Sequence, residues 1–164
     1  MAIAVKTEDV ETAARMHADP LMFYIDPTRE GADSGLWIWL HNDRPAALLT
    51  VSIWPPGSRA QPLRFEAASL ADEPVSIKLG EELRLLDEKE ATRRSLPAEF
   101  APSANPRVRL QQFKRLAKRF AATEDEVRGG PITLRLLSTP IYEALPADSA
   151  SGCAVFAFAH GTNP

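Results

Sequence analysis

Carboxylates, guanidinium groups and imidazoles are the side chains in this chain with chemistry to offer, and they fall into three groupings. Asp26, Arg29, Glu30 and Asp33 lie together in a polar, glycine-containing stretch, while Arg64 and Glu66 alternate along an extended segment and so share one of its faces. A carboxylate beside an arginine at a half-buried sheet is one way to build a general acid–base site, which makes Asp26, Arg29 and Glu66 candidates. The same residues also make ordinary structural ion pairs. His41 and His160 each follow an aromatic-rich run and precede turn formers. Two imidazoles brought together hold a metal or pass protons, and His160 joins the acid–base candidates on that ground. The plainer reading is a pair of polar turn residues, because no Cys or His-x-x-His spacing completes a ligand set. Neither a metal nor another cofactor is therefore expected. His17 reads as a surface or boundary residue of an alanine-rich segment.

The third grouping is basic. At 100° per residue, Arg107, Lys114, Arg115, Lys118 and Arg119 gather on one side of a helix, with Leu110, Phe113, Leu116, Ala117 and Phe120 opposite. Arg109 adds a sixth cation, and no acid stands between Arg107 and Thr123. Such a face grips an anion: a phosphate, a polyanion or an acidic protein surface. The absence of interleaved aromatics disfavours nucleic acid. The competing reading is a solvated face balanced by Glu81, Glu82, Asp87, Glu88 and Glu90. G-x-S-x-G, a glycine-rich phosphate loop and H-E-x-x-H are all absent, so no familiar catalytic template is present.

The elements that position these groups centre on Gly35 to Pro55. Leu36 to Leu40 and Ala46 to Trp54 predict paired strands across His41-Asn42-Asp43-Arg44, where Asn and Asp accept unusual dihedrals. Trp37 and Trp39 take one face and Leu36, Ile38 and Leu40 the other, so the hairpin belongs inside a sheet covered on both sides. Before it, Thr7 to Ala18 predicts a helix, with Thr7 as cap and Ala13, Ala14 and Met16 as formers, and Leu21 to Ile25 predicts an edge strand. After it come strands at Leu63 to Leu70, Val75 to Leu79 and, against its helical composition, Glu81 to Lys89. Ser95 to Asn105 reads as a loop. Asn105-Pro106 opens the best helix, running to about Thr123, with Phe113, Leu116 and Phe120 as its buried seam. Ile132 to Leu137 and Cys153 to Ala159 are the last strands, joined by a loop from Pro140 to Ser151.

The 164 residues suffice for one domain with one core, and the formal charge of −3 argues against a surface that is basic or acidic throughout. A single cysteine, Cys153, leaves no intrachain disulfide. The N-terminus lacks a leader's apolar run and no window is long enough to span a membrane. A soluble protein is expected, cytoplasmic by default and exported if a leader has been removed.

LWIWLHNDRP at 36–45 lies without gaps over VFAFAHGTNP at 155–164, and Asp26-Pro27 and Ser34-Gly35 find counterparts in Thr139-Pro140 and Ser151-Gly152. An internal hairpin repeat is one reading of this; any two strands that end in polar turns is the other. On the first, the chain stops at its second turn, so a closing strand is expected beyond it. The open edge of Cys153 to Ala159 would then pair with another copy.

The stretch "DPTR…SGLWIWLHNDRP", the helix "RLQQFKRLAKRF", "LRLLSTPIY" and the terminal "AVFAFAHGTNP" together resemble a family of uncharacterised bacterial hypothetical proteins. The resemblance covers most of the chain and implies a further hydrophobic strand after the last motif. It brings no activity, cofactor or site residue.

The expected fold is α+β: a curved, mainly antiparallel sheet of six or seven strands packed on the helix from Asn105 to Thr123, with a short N-terminal helix. The leading functional expectation is a non-enzymatic ligand- or protein-binding module. The alternative is a small-molecule enzyme with an acid–base site between helix and sheet, drawing on Asp26 or Glu66 with an arginine and a histidine.

Overall fold

A computed structural model of the chain describes residues 2–7, 10–26, 32–55, 57, 63–71, 75–79, 82–86, 95–96, 100–126, 130–147 and 151–160. Asn42 and Asp43 take left-handed backbone angles, φ 50° and 58°, which their short polar side chains make tolerable. Two such residues in succession form the tight turn whose twist matches an antiparallel pair. β4 (Ala32–His41) and β5 (Arg44–Ile53) accordingly pair from Asp33 opposite Ile53 to His41 opposite Arg44, with one register shift after Trp39.

Around that hairpin lie β1 (Ala2–Thr7), β2 (Val10–Met16), β3 (Met22–Asp26), β6 (Leu63–Ser69), β7 (Val75–Leu79) and β8 (Glu82–Leu86). They form one antiparallel sheet in the order β6-β5-β4-β2-β1-β7-β8, with β3 sharing with β2 the same long strand, β4. The sheet curls into a half-barrel. Curling brings Val5 of β1 and Val75 and Ile77 of β7 onto Trp39, Ala46, Ala47 and Leu49, and these seven residues make the buried core. The opposite face of the hairpin is covered too: Ile38 and Leu40 are buried, and Ser34 Oγ and Ser52 Oγ lie 2.9 Å apart in a buried hydrogen bond.

The chain divides into two compact units, Met1–Arg94 and Ser95–Pro164. In the second, Asn105 caps α1 (Pro106–Ala117): its Oδ1 accepts from the amides of Arg107 and Val108 at 3.0 and 3.3 Å, with Pro106 at the first helical position. Short strands follow: β9 (Thr123–Glu126), β10 (Gly130–Thr133), β11 (Arg135–Leu136), β12 (Tyr142–Ala144), β13 (Cys153–Val155) and β14 (Phe158–Ala159). β9 pairs with β10, β11 with β14 and β12 with β13, all antiparallel.

This overturns the expected α+β layout. The predicted N-terminal helix is extended: β1 and β2 are a hairpin from Thr7 opposite Val10 to Ile3 opposite Ala14. Cross-strand pairing outweighs the modest helical preference of Ala13, Ala14 and Met16. α1 is the one helix among the described residues and stops at Ala117, where Lys118 caps it and Thr123 already begins β9. The large sheet fills its core with residues of its own strands, and α1 belongs to the other unit. The helix seam is also corrected, since Phe120 is 66% exposed while Arg109 is fully buried. The predicted strand from Cys153 to Ala159 is two strands, and the predicted loop after Pro140 contains β12.

What repeats in the chain is wider than a hairpin. Arg15 and Met16 of β2 face Leu40 and Trp39, as Arg135 and Leu136 of β11 face Ala159 and Phe158. Met22, Phe23 and Tyr24 face Leu36, Gly35 and Ser34, as Tyr142, Glu143 and Ala144 face Val155, Ala154 and Cys153. Between these pairings, His17 and Leu21 donate backbone N–H to the carbonyls of Ile38 and Leu36, and Leu137 and Ile141 donate to those of Ala157 and Val155. β9 and β10 keep the β1–β2 register as well, Glu126 opposite Gly130 standing where Thr7 faces Val10. β9 to β14 thus retrace the strand pairings of β1 to β4, with connections that differ by one residue. The counterpart of Pro140 is Pro20, not Pro27 as the sequence alignment suggests, and those of Ser34 and Gly35 are Cys153 and Ala154, not Ser151 and Gly152.

Candidate functional site

The repeat aligns Leu136, Ala154, Phe156 and Phe158 with Met16 of β2 and Gly35, Trp37 and Trp39 of β4, one face of the first unit's sheet, on which Trp39 is buried and Met16 is half exposed. There, β5 supplies Leu49 and Val51 to pack beside the two tryptophans. In the second unit α1 lies over the equivalent face and leaves an open groove of ≈ 390 Å³. Its helical wall is Phe113, Leu116, Ala117 and Phe120; the facing wall is Leu136, Phe156 and Phe158, with Gly152, Cys153 and Ala154 at one end. Its size and apolar lining are those of small-ligand clefts.

Arg109 explains why the helix stands where it does. Its guanidinium donates to Ser103 O at 3.0 Å and to Pro146 O, tying the segments on either side of α1 to it. Gly152 passes directly over this group: a Cβ there would lie 2.8 Å from Ala144 O and 3.3 Å from Arg109 Nε, at φ +154°. Gln112 adds two bonds to the same segment, donating to Ala101 O at 3.0 Å and accepting from Ser103 N at 2.9 Å, and Arg119 stacks on Phe100 at 5.3 Å. At 100° per residue Arg109 and Gln112 occupy one flank of the helix, and Arg107 and Lys114 the other. Among the described residues no acidic side chain pairs with Lys114 or Lys118. Side chains of the expected acidic partners, Glu81, Glu82, Asp87, Glu88 and Glu90, lie outside the described residues. Arg115 is exposed, as Arg107 is.

The acid–base candidates are distributed over both units. Asp26 ends β3 opposite Ala32, with its side chain outside the described set, as is all of Arg29. Glu66 meets Arg64 at 2.9 Å, a partly exposed pair on β6. His160 Nδ1 stands 3.8 Å from Glu124 Oε2, an ion pair only when the imidazole is protonated. His41 lies at the end of β4, its Nε2 3.5 Å from Asn42 Nδ2. Among the described residues no three His, Cys, Asp or Glu side chains group to hold a metal, and no helix is long and apolar enough to cross a membrane.

A second apolar surface lies on the first unit. Phe23, Gly35, Val51 and Phe65 form one row across β3 to β6, and Ile25, Asp33, Ile53 and Leu63 the next row on the same face. Beyond the core this face is uncovered, with Phe23 73%, Ile25 60% and Ile53 56% exposed. Comparison with protein-family models, with curated proteins and with solved structures finds no match to the chain.

Proposed function

We propose that the chain is a binding module and that its second unit takes an apolar ligand in the groove between α1 and β13–β14. The observation that carries this reading is the groove itself, apolar on both walls. The exposed apolar rows of the first unit, interrupted by Asp33, fit the same class of function, since uncovered apolar surface of this extent marks interaction sites.

Cys153 gives a local readout because it lines the groove and is the chain's one cysteine. A neutral aliphatic alcohol such as decanol should slow its reaction with a thiol reagent in a saturable way, and Leu116→Lys should weaken that protection. A Cys153 rate indifferent to decanol and to a hydrophobic dye would count against the groove as a binding site.

A further inference from the structure

The groove is apolar, but its helical rim is not. Lys114 stands about 60° round α1 from Ala117, which lines the groove, and Lys118, the C-cap, follows one turn on. Lys114 is half-buried and Lys118 exposed. As i, i+4 neighbours of like charge they repel each other, and neither α1 nor the segment after it as far as Thr123 contains an acid. Among the described residues no carboxylate pairs with either lysine. Arg107, on the same flank, precedes Phe113, the first helical residue of the wall, by about 9 Å along the axis. The two ends of the groove differ. Gly152 passes over Arg109 in the first half of α1, and Gly152, Cys153 and Ala154 line that end with small side chains. The exposed Glu143 stands opposite Ala154 on the same face of the β12–β13 pair. Arg109 itself is fully buried and engaged with the carbonyls of Ser103 and Pro146.

Resting on the groove as a binding site, we infer that its ligand is a single-chain aliphatic carboxylate, with the chain in the groove towards Gly152 and Ala154 and the head at Lys114 and Lys118. The apolar walls take the chain out of water, the lysines offset the charge of the head and of each other's neighbour, and Glu143 disfavours the reverse orientation. The head lies in the C-terminal half of α1, where the helix dipole is negative and opposes an anion. A singly charged carboxylate meets less of that opposition than a doubly charged phosphate.

The probes are decanoate, decanol and decyltrimethylammonium, each added to the intact chain below its micelle concentration and at low ionic strength. The readout is the rate at which Cys153, which lines the groove, reacts with the uncharged reagent N-ethylmaleimide. Decanoate should protect Cys153 at about 5-fold lower concentration than decanol, and decyltrimethylammonium should need the most. Lys114→Met with Lys118→Met should bring decanoate down to about the level of decanol, and high salt should do the same to the parent protein. Arg115→Met removes one charge from the exposed face of the helix away from the groove and should leave decanoate's advantage in place. Decanol protecting as well as decanoate would overturn the anionic ligand and leave the groove standing. Decyl phosphate protecting at lower concentration than decanoate would overturn the carboxylate head, and a preference for decanoate that survives both lysine substitutions would overturn the placement of that head. Protection by none of the probes would remove the groove reading as well.

Discussion

Gly35 and Arg109 are each placed where no other residue serves as well. A Cβ on Gly35 would lie 2.5 and 2.6 Å from the ring of Trp37 and 3.1 Å from that of Phe23, which meets Trp37 edge to face at 5.9 Å. Gly35→Ala should therefore displace Trp37 and cost about 1–3 kcal/mol, read as a lower midpoint in denaturant unfolding followed by tryptophan fluorescence. The second unit has alanine and phenylalanine at the matching positions, Ala154 and Phe156. Gly35→Ala with Trp37→Phe should then be less damaging than the two single changes added together. Arg109 is buried and donates through two different nitrogens to two carbonyls from separate segments, a fork that lysine cannot reproduce. Arg109→Lys should cost about 2 kcal/mol or more in thermal unfolding monitored by circular dichroism. An unchanged melting temperature would show that the guanidinium contributes no more than its charge. Sequence periodicity counted Arg109 among the solvated cations because 100° spacing describes a helix alone. The segments that bend back over it at 103 and 146 are not periodic and leave no such signal.

At the scale of elements, local chemistry was legible wherever a single residue type dictates the backbone. The Asn42-Asp43 turn and the Asn105-Pro106 helix start are both where their side chains demand, and the strands on either side of the turn follow from it. Asn105→Ala should cost about 1 kcal/mol through the two amides it leaves uncapped. Legibility failed where pairing with distant residues decides. β2 carries helix formers, yet its partner strand is supplied by β1 and then by β4, and neither pairing is written in the Val10–Met16 window. The helix seam failed for a related reason: Phe120 falls beyond the end of α1, so the helical phase that would bury it no longer applies. Phe120→Ala should consequently change stability by no more than about 0.5 kcal/mol, while affinity for groove ligands falls. A loss of several kcal/mol in chemical denaturation would put Phe120 back in the core.

At the scale of the molecule, the repeat was visible in the sequence as ten aligned residues and two upstream dipeptides matched out of register, because β9 and β10 share almost nothing with β1 and β2 beyond their register. Backbone pairing preserves topology through substitutions that erase side-chain likeness, since ladder bonds involve no side chain. The two units nevertheless treat the shared face differently: the first covers part of it with Val5, Val75 and Ile77 of β1 and β7 and leaves the remainder uncovered, and the second covers it with α1 and leaves a groove. The uncovered part carries Phe23, Ile25, Ile53, Leu63 and Phe65, all exposed, in two rows, with the exposed Asp33 standing between Ile25 and Ile53. Apolar surface of that extent lowers its free energy by meeting another such surface, and a net charge of only −3 opposes that approach weakly. Sedimentation should show association that grows with protein concentration. Phe65→Lys together with Ile53→Thr should reduce it while leaving the denaturation midpoint within about 0.5 kcal/mol of the parent, because these side chains lie outside the buried core. Protein that stays monomeric at every concentration and binds no hydrophobic dye at these rows would show the face to be covered in solution.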